Sequence, residues 1–76
     1  MTTFNIRLNA IGDVKNFVNI VNKYDYEIDL TSGRYVVDAK SIMGIFSLDL
    51  TKPIKADIHS DSCDDLIKEL KPFMAE

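Results

Sequence analysis

At 76 residues, with 46% hydrophobic and 28% charged side chains, the chain has enough apolar content for one small core and not for two. Nine basic against twelve acidic side chains leave a formal charge of −3, which repels a phosphate backbone and argues against direct nucleic-acid binding. One cysteine, Cys63, rules out an intrachain disulfide and a cysteine-built zinc cluster.

No apolar run approaches the ~18 residues of a membrane span. The N-terminus, Met1-Thr2-Thr3-Phe4, has no basic region or hydrophobic stretch. A reduced cytoplasmic domain, residues 1–76, is therefore expected.

The hydrophobic period changes from element to element. Phe4, Ile6 and Leu8 alternate with Asn5, Arg7 and Asn9, the period-two pattern of a half-buried strand. After Gly12, the residues Val14, Phe17, Val18 and Val21 fall at i, i+3, i+4 and i+7. That spacing predicts an amphipathic helix over 13–23, with Asp13 as its cap or first-turn carboxylate.

Tyr26, Ile28 and Leu30 alternate again, Ser32-Gly33 is a turn signal, and Tyr35 and Val37 resume the alternation. Residues 26–38 thus read as a β-hairpin. A short or irregular helix follows, with Ile42, Ile45 and Phe46 at helical spacing around Gly44. Pro53 ends it, and Ile54, Ala56 and Ile58 give the last strand.

Ser60-Asp61-Ser62 supplies capping side chains for a closing helix, 62–71, that carries Cys63, Leu66, Ile67 and Leu70. Pro72 shortens its last turn. The order is βαββαβα. One buried and one solvated sheet face give an α+β two-layer sandwich, with helices on one face of a four-stranded, mostly antiparallel sheet.

The chain offers little catalytic apparatus. His59 and Cys63, with Asp57, Asp61, Asp64 and Asp65 nearby, are too few soft ligands for a closed metal site. Carboxylates at a helix start have the simpler role of favouring its dipole. With one histidine, there is no oriented base for a serine or cysteine nucleophile. Glycines at 12, 33 and 44 form neither a P-loop nor a dinucleotide fingerprint. No enzyme, metal or cofactor is expected.

The most informative stretch is Ala39 to Leu48. Ser41 is a hydroxyl residue placed to cap the short helix. Ile42, Met43 and Phe46 are too many large apolar side chains for so short an element to bury, so part of it forms a docking patch. The plainer reading packs Ile42 and Phe46 inward.

This stretch resembles the Lys-Ser-Ile-Met-Gly motif of the HPr phosphocarrier family of the bacterial sugar phosphotransferase system. Length, element order and Lys23-Tyr24-Asp25 before the second strand agree as well, so the resemblance covers essentially the whole chain. It implies the open-faced β-sandwich of that family.

Family members carry a phosphoryl group on a histidine before the first helix. Here Ala10 occupies that position, and Gly12 falls where a phosphate-stabilising arginine belongs. The resemblance therefore implies a member without phosphohistidine transfer.

Ser41 matches the serine that HPr kinase/phosphorylase modifies in the family. Ile42, Met43 and Ser47 then fall in the surface read by that kinase and by a transcription regulator or enzyme partner, with Lys40 as a local counter-charge. The expected function is a regulatory protein of carbon control, switched by phosphorylation at Ser41. The alternative is an interaction module that keeps the fold and motif but is never phosphorylated.

Overall fold

A computed structural model describes residues 1–75. Its elements are β1 (Thr2–Ile6), α1 (Ile11–Val21), β2 (Ile28–Ser32), β3 (Tyr35–Asp38), α2 (Ile42–Phe46), β4 (Ile54–Ile58) and α3 (Asp64–Leu70), then a 3-10 turn, Lys71–Phe73. The strands form one sheet in the order β1-β4-β2-β3, and every neighbouring pair is antiparallel. This is the expected open-faced sandwich.

The alternation within strands sets the two faces. Ile6, Ile28, Leu30, Ile54, Ala56 and Ile58 are buried beneath the helices, and Val14, Phe17, Val18, Val21, Leu66 and Leu70 meet them from above. Phe73 closes the layer edge-on against Phe17, with ring centroids 5.8 Å apart. Leu8 lies beyond β1 yet is fully buried, so its apolar side chain is used without strand geometry.

Several boundaries differ from the periodicity. α1 starts two residues before Asp13, because that carboxylate reaches back from the helix's third position instead of standing at the cap. Tyr26 lies outside β2, where its hydroxyl donates to Asp65 at 2.9 Å and lies 3.1 Å from the Ser62 carbonyl. At α3 the cap position is Cys63, with no side-chain cap bond. Ser60 instead closes a local turn by accepting from the Ser62 N–H at 3.1 Å. Tyr35 is 67% exposed, because it sits beside the hairpin turn of the edge strand β3, whereas α2 packs on that strand at Val37.

The hairpin turn needs its glycine. Gly33 has φ of +60°, and Arg34 has no positive φ. A two-residue connection with glycine first matches the right-handed twist of β2 and β3.

Candidate functional site

Two helix entrances hold the candidate residues, and each is shaped by its first few residues. At α1 the N-cap is Ala10, in extended conformation and without any capping side chain. Asp13 replaces that function from within the helix. Its Oδ2 accepts the Asn9 N–H at 3.0 Å and the Ala10 N–H at 3.2 Å. This is half of a capping box, and it places a fixed negative charge on the loop amides. Ala10, Ile11 and Gly12 are all exposed.

At α2 the connection from β3 is tied by Asp38. Its carboxylate accepts the Lys40 N–H at 2.8 Å, and its carbonyl accepts the Ser41 N–H at 3.0 Å. This tight aspartate turn aims the chain into the helix. Ser41 then caps it, with Oγ accepting the Gly44 N–H at 3.1 Å. Gly44 is closely approached: an added Cβ would stand 3.2 Å from both Ser41 Oγ and Val37 Cβ.

One turn of α2 presents its side chains very differently. Ile45 is fully buried, Ile42 is half-buried against the core, Met43 is 77% exposed and Phe46 is 40% exposed. The inward-packing residue is thus Ile45, and Phe46 belongs to the exposed patch. Ser47 ends the helix with its hydroxyl donating to the Gly44 carbonyl at 2.6 Å. Ser41, Met43, Phe46 and Ser47 therefore share an exposed, partly apolar surface around α2.

Lys40 does not extend freely beside Ser41. Its Nζ donates to the Tyr24 carbonyl at 2.7 Å, which ties the α2 entrance to the segment leaving α1. Tyr24 in turn bonds Glu69 of α3 through its hydroxyl and stacks on Tyr26. The hydrogen bond to the Glu69 carboxylate pushes the Tyr24 phenol up to about 12, because it holds the proton on the hydroxyl, and the nearby negative charge adds to the same effect.

His59 stands elsewhere. Ile6 pairs with Ile54 and Thr2 with Ile58, so the loop leading to Ala10 and the residue following β4 lie at opposite ends of that strand pair. Four residue steps of strand separate the ends by about 14 Å. The imidazole Nε2 lies 2.8 Å from Asp29 Oδ2 instead. Cys63 is buried, and among the described residues no three His, Cys, Asp or Glu converge as a metal site would require.

Residues 14–76 match the family model described as the PTS HPr component phosphorylation site. The chain belongs to the HPr phosphocarrier family. HPr proteins of the phosphotransferase system are phosphocarriers and not enzymes themselves.

Among solved structures, HPr-C-His from Thermoanaerobacter tengcongensis is 31% identical, with a TM-score of 0.71 over 91% of this chain and 83% of that one. An HPr dimer from the same organism is 32% identical, with a TM-score of 0.65 over 83% and 74% of the two chains. The phosphocarrier protein HPr from Bacillus anthracis, at 22% identity and a TM-score of 0.69 over 97% and 94%, shares the fold. No curated protein sequence matches the chain. No helix among the described residues is long and apolar enough to cross a membrane.

Proposed function

We propose that this HPr-family chain is a regulatory protein that carries no phosphohistidine and is switched by phosphorylation at Ser41. The observation that carries the reading is the contrast between the two helix entrances. At α1, Ala10 has no nucleophile, and the Asp13 carboxylate already occupies the amides that would face a phosphoryl group. At α2, Ser41 presents an exposed hydroxyl beside Met43 and Phe46.

A phosphate on Ser41 would bring about −1.5 to −2 charges and three acceptor oxygens to that apolar patch. A partner with an arginine or lysine beside an apolar groove would then distinguish the two forms. In this reading HPr kinase/phosphorylase modifies Ser41. A transcription regulator or enzyme partner reads the surface made by Ile42, Met43, Phe46 and Ser47.

A second reading has support from the cap itself. Ser41 Oγ already accepts the Gly44 N–H, so the residue has a structural use without any phosphate. An unmodified interaction module would keep Ser41 for that reason alone.

Intact-mass measurement after incubation with ATP and an HPr kinase/phosphorylase separates the two. One added phosphoryl group, absent from Ser41→Ala, supports the serine switch. No addition, while an authentic HPr is modified in parallel, leaves the interaction module. Label taken from phosphoenolpyruvate on to nitrogen would overturn both, because it would restore the carrier role.

A further inference from the structure

The two outer edges of the sheet are finished differently. On β1, the C-terminal segment comes alongside: the Arg7 N–H donates to the Phe73 carbonyl at 2.7 Å, the Ala75 N–H donates to the Asn5 carbonyl at 2.8 Å, and Ile6 bridges Met74. On β3 no described residue takes a comparable place. Tyr35-Val36-Val37-Asp38 holds no lysine, proline or bulge, so its shortness and the Asp38 carboxylate are what protect this edge.

Which backbone groups face outwards follows from the register. Leu30 pairs with Val37 and Ser32 with Tyr35, and the Ala39 N–H donates to the Ile28 carbonyl at 2.9 Å. In an antiparallel ladder the bonded pairs alternate, so residues 35, 37 and 39 turn their backbone groups to β2. Val36 turns both of its groups to the open side, and Asp38 its N–H, while the Asp38 carbonyl already accepts the Ser41 N–H within the chain. Val36 is also 63% exposed and Tyr35 67% exposed, so a backbone template and an apolar surface coincide.

We propose that this edge pairs with the β3 edge of a second copy of the chain, antiparallel about a two-fold axis through Val36. The strand is self-complementary in that register. Val36 meets Val36 of the second copy, Tyr35 meets Val37, and Arg34, one position before the strand, meets Asp38. Neither Arg34 nor Asp38 has an ion-pair partner among the described residues.

The sheet's own charges favour a cation arriving there. Across its open face Asp57 stands opposite Asp29, and Asp29 opposite Asp38. Like charges in register repel. Asp57 has Lys55 at 3.9 Å, and Asp29 has His59 at 2.8 Å. Asp38, the outermost, has only the Lys40 backbone N–H. Arg34 from a second copy supplies the missing positive charge, and the symmetry supplies it twice.

A strand of four residues gives a small interface, so the dimer exchanges rapidly with monomer. The assembly is one continuous eight-stranded sheet with both β3 strands at its centre. This inference is independent of phosphorylation at Ser41.

Sedimentation of the full chain from micromolar to millimolar concentration tests it. The expected apparent mass rises from 8.6 kDa towards twice that value. Val36→Lys sets two ammonium groups against each other on the axis and should hold the chain monomeric. Arg34→Asp and Asp38→Arg should each weaken association by about tenfold, since one substitution makes two attractive pairs repulsive, and their combination should restore it.

Circular dichroism checks that each variant is folded. In the unsubstituted chain, exchange of the Val36 amide should slow with concentration. Monomer mass throughout, a dimer indifferent to Val36→Lys, or a double reversal that recovers nothing would each overturn the proposal.

Discussion

α1 and α2 both begin after a short loop, at a residue with extended backbone, Ala10 at φ −142° and Ser41 at φ −97°. Beyond that the two starts are opposites. α2 is capped by a neutral, exposed hydroxyl that precedes it. α1 is capped from inside by Asp13, whose charge is spent on the Asn9 and Ala10 amides. Within one family fold, an entrance sealed by its own carboxylate and an entrance left with a hydroxyl make different chemistry available at similar backbone geometry.

The sharpest way to break the α2 side of that comparison is to remove the residue that fastens the helix down. Ile45 is fully buried, whereas Met43, two positions earlier, is 77% exposed. Ile45→Ala is expected to cost about 2–5 kcal/mol in urea unfolding. Met43→Ala should stay within about 0.5 kcal/mol. Equal costs would mean that Met43 is a packing residue and not part of a docking patch.

The caps themselves come next. Ser41→Ala should destabilise by about 1 kcal/mol, and Asp13→Ala by a similar amount, because each removes a side-chain acceptor for helix-entrance amides. Asp13→Asn keeps an acceptor oxygen and should lose less. If Asp13→Ala melts like the parent, the entrance to α1 is held by packing alone, and the contrast between the two helices loses its electrostatic part.

Much of this was legible in the sequence, because alternation at Ile54, Ala56 and Ile58 and helical spacing at Val14, Phe17, Val18 and Val21 report burial directly. The cap at Ser41 was legible for the same reason, since a hydroxyl before an apolar run has few other local uses. Tyr35 was not. Its place in the alternation is correct, but its exposure depends on β3 being outermost and on α2 packing over Val37 and not over the hairpin end, which only the tertiary arrangement decides. Phe46 likewise follows helical spacing yet stays 40% exposed, because Ile45 takes the inward position on a helix of five residues.

A smaller effect probes how tightly α2 is seated. Gly44→Ala would ordinarily favour a helix by about 0.5–1 kcal/mol. Here the new Cβ would sit 3.2 Å from Ser41 Oγ, the atom that accepts the Gly44 N–H, and 3.2 Å from Val37 Cβ on the strand below. The expected outcome is a net loss of less than about 1 kcal/mol, read as a lowered thermal midpoint. A raised midpoint would mean that Ser41 can retreat without losing its bond.

The smallest effect is read in protons, at the point where the two helices are joined. Lys40 Nζ holds the Tyr24 carbonyl, and the Tyr24 hydroxyl donates to Glu69, which also pairs with Lys23 at 2.6 Å. Glu69 is lowered from its ordinary value, first by the Lys23 hydrogen bond and then by that of Tyr24. Its contribution to stability is present above pH 4.5 and lost as pH falls.

Tyr24 runs the other way. Its phenol is pushed up from 10.0 to about 12, first by the hydrogen bond to Glu69, so the folded chain keeps a proton that the unfolded chain releases. That contribution is complete below pH 10.0 and disappears as pH rises towards about 12. Phenolate absorbance should therefore have a late component that Tyr24→Phe removes. If the two curves superpose once scaled for one fewer phenol, Glu69 is not holding that proton. If the late component vanishes and exchange of the Gly44 amide quickens as well, the Tyr24 hydroxyl helps to fix the carbonyl on which Lys40 anchors the entrance to α2.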